Sequence, residues 1–136
     1  MKSYTDLEQS KKLAKFLPIE SADMYYSEVP VREWKDKKNP SKGVHVVFKS
    51  QIFAIENLRN HEIEEGDIYA WSLSALLSIL PNSIYDNTDE YSQLEFTKRS
   101  VAYHDVNDGI KVGAIKENLV DAAYEVILKL HKLDLL

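Results

Sequence analysis

The chain of 136 residues contains no cysteine. That single absence removes disulfides, thiolate zinc sites and cysteine nucleophiles together. Glycine is scarce, with four in all, and Gly43, Gly66, Gly109 and Gly113 each stand alone. A phosphate loop or dinucleotide fingerprint needs clustered glycines where backbone approaches phosphate, so nucleotide binding through either motif is excluded. No Gly-x-Ser-x-Gly elbow is present to present a serine nucleophile. No uninterrupted apolar run reaches the length that crosses a bilayer. The N-terminus, Met1-Lys2-Ser3-Tyr4-Thr5-Asp6, lacks the apolar stretch of an export signal, and the expected setting is cytoplasmic, with no membrane contact.

Positive charge is also in short supply. Seventeen Lys and Arg against 22 Asp and Glu leave a net charge of −5, which argues against a broad nucleic-acid-binding surface. Hydrophobic residues at 44% and charged residues at 29% lie near globular averages, so the chain can bury a core. Its length fits one domain covering 1–136.

What is present is organised around Trp71-Ser72-Leu73-Ser74-Ala75-Leu76-Leu77-Ser78-Ile79-Leu80-Pro81. Leu73, Leu76, Leu77 and Leu80 recur at the spacing of one helical face. Ser72 is placed to cap the first turn, and Pro81 pushes the residue before it out of the α region. The stretch reads as a short buried helix. Two places remain open for Trp71, a plug at the core's edge or a surface position.

Two longer helices flank it in sequence. Thr5-Asp6-Leu7-Glu8 matches a capping box and opens a helix over 5–17, with Leu7, Leu13, Ala14, Phe16 and Leu17 as its apolar side. Asn118 caps a second helix over 118–132, whose apolar face is Leu119, Ala122, Ala123, Val126, Ile127 and Leu130. Lys129, His131 and Lys132 gather at its end, where the helix dipole favours cations. Ile19–Ala22 reads as one helical turn. Strands are expected at 23–26, 44–49, 68–70, 93–97 and 101–104, the last two as an antiparallel hairpin through Lys98-Arg99-Ser100. Residues 51–58 fit strand or helix. Residues 64–67, 82–90 and 105–109 read as turns or loops, and the polar stretch 31–43 as an exposed basic loop. The expected fold is α+β: a small, mainly antiparallel sheet covered on one face by the two longer helices, with the short helix nested between them.

Four phrases in this order carry a family likeness: Thr5-Asp6-Leu7-Glu8-Gln9-Ser10-Lys11-Lys12-Leu13, Ser21-Ala22-Asp23-Met24-Tyr25, Trp71-Ser72-Leu73-Ser74-Ala75-Leu76-Leu77 and Leu119-Val120-Asp121-Ala122-Ala123-Tyr124-Glu125. Together they resemble small uncharacterised proteins carried by phages and integrated mobile elements of gut Bacteroidetes. The likeness spans most of the chain and is weakest over 27–67. It implies a bacterial or phage intracellular setting, and it brings no activity and no functional residues with it.

Chemistry-bearing residues are dispersed. His45, His61, His104 and His131 are never three or four apart, so no two share a helical face as zinc ligands do, and no metal site is expected. Asp86, Asp89 and Glu90, and Asp105, Asn107 and Asp108, depart from the EF-hand pattern and read as solvated turns. No catalytic residue and no cofactor site is assigned. Arg32, Trp34, Lys35, Lys37, Lys38 and Lys42 form the one basic cluster, able in principle to meet phosphate and stack a base. The plainer reading is a lysine-rich loop that keeps a hairpin tip soluble. Eight tyrosines suit either sheet margins or a partner surface, since tyrosine joins contact area to a polar tip. The reading favoured by these residues is a non-enzymatic interaction or accessory protein, acting on a protein partner or by self-association. The alternatives are a small-ligand enzyme assembled from distant residues such as His104, Tyr103 and loop acids, and, more weakly, nucleic-acid binding through 32–42.

Overall fold

In the computed structural model, which describes residues 2–27, 45–48, 68–85, 91–105 and 109–136, helices form within each of the three stretches 5–17, 71–81 and 118–132 where the sequence predicts one. The chain resolves into two compact units, Asp6–Trp71, and Ser72–Leu136 together with Met1–Thr5. Helices and antiparallel strands occur in both, so the fold class is α+β. The strands lie in two sheets, where the sequence reading placed them in one. The physical reason is pairing: local hydrophobic pattern marks a strand but not the strand it bonds to.

The unit Asp6–Trp71 begins with α1, Leu7–Leu13. Its cap sits one residue later than Thr5: the Asp6 carboxylate accepts from the Gln9 N–H at 2.9 Å, and Gln9 Oε1 accepts from the Asp6 N–H at 3.1 Å. Asp-x-x-Gln completes the reciprocal box as well as Thr-x-x-Glu does, while the Thr5 side chain is fully buried. The helix also stops short of Leu17, continuing as a turn in which the Leu17 N–H still donates to the Leu13 carbonyl. Leu13 and Leu17 are buried, whereas Ala14, expected on the same side, is exposed. One 3-10 turn, Ile19–Ser21, leads into β1, Met24–Ser27, as the sequence predicts. Strand β1 lies between β2, His45–Phe48, and β3, Ile68–Ala70, antiparallel to both. Trp71 closes this unit, and the structure makes it core: it is 1% exposed. Its indole N–H donates to Ser21 Oγ at 2.9 Å, and that hydroxyl donates on to the Pro18 carbonyl at 2.6 Å. A buried indole needs such a partner, and the 3-10 turn supplies it.

In the other unit, Ser72 caps α2, Leu73–Ile79, its hydroxyl accepting from the Ala75 N–H. Ala75, Leu76 and Leu80 are buried; Leu73 and Leu77 are half-buried. A four-stranded antiparallel sheet follows, ordered β4 (Ser83–Tyr85), β5 (Tyr91–Phe96), β6 (Ser100–Asp105) and β7 (Gly109–Ile115). The β5–β6 hairpin is the expected one. Strands β4 and β7 fall where the sequence reading had a loop or nothing, because each is short on alternation and gains its ladder from a neighbour. Helix α3, Leu119–Lys132, packs on β6 and β7 and against α2. Its cap is Asn118, whose side-chain oxygen accepts from the Asp121 N–H at 2.8 Å. The N-terminal stretch is stitched to this unit by a bridge between Tyr4 and Ser72, a Leu73 N–H bond to the Ser3 carbonyl, and a 2.6 Å Lys2–Asp121 ion pair. No helix among the described residues is long and apolar enough to cross a membrane.

Candidate functional site

Residues paired across an antiparallel ladder share a face, and neighbours along a strand do not. The register of the four-stranded sheet pairs Val101 with Ala114 and Phe96, and Tyr103 with Val112 and Leu94; Ile84 pairs with Ser92. Val101, Tyr103, Val112, Ile84 and Ser92 are all buried, so this is the packed face. Phe96 departs from it, more than half exposed at its strand's end. The Tyr103 phenol donates to the Pro81 carbonyl at 2.6 Å, and burial pushes its pKa well above the ordinary tyrosine value.

The opposite face carries Tyr85 and Tyr91, Gln93, Glu95, Ser100, Ala102, His104, Ile110, Gly113 and Ile115, paired in the same registers. It is open, and large apolar side chains stand on it among the polar ones. Ile115 is 75% exposed, Tyr91 63%, Ile110 59% and Tyr85 46%. The two tyrosine rings meet edge to face, with centroids 4.6 Å apart, the arrangement favoured by the ring quadrupoles. Between the tyrosines and the isoleucines, His104 Nε2 lies 3.5 Å from Glu95 Oε2. A register shift at Tyr103/His104 sets Ile110 opposite His104 and leaves Lys111 as the extra residue of β7.

Along β7 the open face continues into a groove of about 430 Å³, lined by Ser100, Ala102 and His104 from β6, residues of β7, and Glu125 and Lys129 from α3. Gly113 forms its floor. A Cβ at that position would stand 3.0 Å from Ala102 Cβ and 3.1 Å from Ile110 Cγ2, so the bare backbone lets Ile110 lie close over β6. Lys129 Nζ donates to the Gly113 carbonyl at 2.6 Å.

Against these features the residues singled out from sequence fall variously. Arg32, Trp34, Lys35, Lys37, Lys38 and Lys42 lie outside the described residues, as does the ambiguous stretch 51–58. Tyr103 and His104 face opposite ways from one strand, and the Tyr103 hydroxyl is taken by Pro81. The two are not brought to one site. Among the described residues no three His, Asp or Glu side chains are grouped to hold a metal ion. The tyrosines divide: Tyr25, Tyr103 and Tyr124 are core, while Tyr85 and Tyr91 stand on the open face. Ile110 and Ile115 escaped the sequence reading, since the bulge at Lys111 breaks the alternation that would have marked them. Comparison with known protein families, curated proteins and solved structures finds no match for the chain.

Proposed function

We propose that the chain is a small non-enzymatic interaction or accessory protein of a bacterial or phage mobile element, working inside the cell, and that the open face of its four-stranded sheet meets a protein partner. The observation that carries the reading is the set of four large apolar side chains, Tyr85, Tyr91, Ile110 and Ile115, exposed on one sheet face. Leaving such groups in water forgoes stabilisation of about 25 cal/mol for every Å² of apolar surface, which burial against a partner recovers. The polar residues between them, Gln93, Glu95 and His104, give a partner hydrogen-bonding groups that fix orientation. A partner suited to this face presents an apolar centre with a polar rim.

The reading is tested by pull-down from a bacterial host with the wild-type chain and with Tyr91→Asp, followed by rebinding of the purified partner. A partner that binds the wild type and is lost by Tyr91→Asp supports it. Identical capture by the two proteins, or no rebinding, refutes it.

A further inference from the structure

Among the described residues the order β4-β5-β6-β7 places β4 and β7 at the ends of the sheet. The β4 edge is three residues long, a length that by itself blunts pairing. The β7 edge is seven residues long, the longest strand of the sheet, and among the described residues its one paired strand is β6. Backbone groups along a strand point alternately to either side. The Lys116 N–H turns inward to the Arg99 carbonyl, and the Gly113 carbonyl is met by Lys129 from α3. Gly113 and Ile115 therefore direct their N–H and C=O groups away from β6, toward the outer side of the sheet. On that side Lys129 occupies the place of a donor from another strand.

We propose that β7 pairs antiparallel with β7 of a second copy of this chain, about a two-fold axis at Gly113, so that two four-stranded sheets become one continuous sheet. In a two-fold pairing centred there, Gly113 faces its own copy, and neither brings a side chain to the crowded axis. Ile115 lies opposite the stem of Lys111 of the second copy, covering part of an isoleucine now in water. The incoming Gly113 N–H takes over the carbonyl that Lys129 now holds, and the ammonium is released.

A lysine at a sheet edge ordinarily discourages pairing. Here the same helix supplies its counter-charge. Glu125 lines the groove four residues before Lys129, and among the described residues no cation stands within ion-pair distance of it. The two-fold axis runs the α3 helices of the pair antiparallel, which sets Lys129 of each toward Glu125 of the other. The edge is self-complementary in backbone and in charge, which is what an isologous interface requires. This pairing does not depend on the use made of the open face.

Light scattering and sedimentation over roughly 10 μM to 1 mM test it. The wild type is expected at twice the chain mass. Glu125→Lys alone, which sets lysine against lysine across the axis, is expected to weaken the dimer at least about tenfold. Lys129→Glu alone should do the same, and the double variant E125K/K129E should restore it. Ile115→Pro deletes an outward N–H that the internal ladder does not use, and should give a monomer with unchanged circular dichroism. Tyr91→Asp should leave the dimer intact, separating this result from that of the open face. A wild type of single chain mass throughout overturns the proposal. So does a dimer that tolerates both Glu125→Lys and Ile115→Pro, or a double swap no better than either single variant.

Discussion

The two faces of the four-stranded sheet are made of consecutive residues and live in different solvents. Val101 and Tyr103 are wholly buried, while Ser100 and His104, beside them in the same strand, reach water. On β7, Val112 is buried, whereas Ile110 and Ile115 are largely exposed. Apolar side chains thus occur on both sides, and among the described residues only one side has helices over it. The difference teaches that an isoleucine on a strand reports a preference for burial, and that a covering element has to exist before the preference is met. Where none does, the residue is left to a partner.

The comparison can be broken from its packed side. The largest effect is expected at Leu76, fully buried on α2, where Leu76→Asp places an unpaired charge in the core and should unfold the domain, read as loss of the cooperative transition in denaturant. A folded, soluble variant would show that the core is misassigned. Tyr103→Ala is expected to cost about 3–5 kcal/mol in the same measurement, as large-to-small changes at buried aromatics do.

Smaller changes sharpen it. Tyr103→Phe keeps the ring and removes only the bond to the Pro81 carbonyl, so a loss of about 1 kcal/mol is expected. That phenol also gives the fold an alkaline sensitivity. Its pKa is raised in the folded state, so above a pH of about 10 the unfolded chain releases a proton that the folded chain retains. Stability conferred by the neutral phenol is therefore present below that pH and declines above it. Denaturation midpoints of the wild type should fall on going alkaline, and those of Tyr103→Phe should fall less. His104→Ala, one residue along and on the open face, should change stability by less than about 0.5 kcal/mol, because its Glu95 partner is two-thirds exposed and the pair is screened by water. An equal cost at 103 and 104 would erase the distinction between the faces.

The helices were legible because their signals are local. Ser72 and Asn118 cap where the sequence places them, since a cap needs only the next three residues. The first helix shows the limit of that legibility: Thr5-x-x-Glu8 and Asp6-x-x-Gln9 both satisfy the motif, and burial of Thr5 decides for Asp6. The β5–β6 hairpin was legible for the same reason, two alternating runs joined by a short turn. Strands β4 and β7 were not. Ser83-Ile84-Tyr85 is too short to show a period, and the bulge at Lys111 puts β7 out of phase with itself. The open face was illegible with them, because it consists of residues from four strands whose order no single strand encodes.

By itself the sequence determined that cysteine chemistry is absent, the α+β class and the positions of three helices and one hairpin. Composition and near-neighbour backbone geometry are enough for these. Only the tertiary structure decided that the strands form two sheets, that Trp71 is core with its indole bonded to Ser21, and that Ile110 and Ile115 remain in water on the end strand of the four-stranded sheet. Each of those depends on which segments meet across long stretches of chain, and the free energy of meeting is not written in either segment alone.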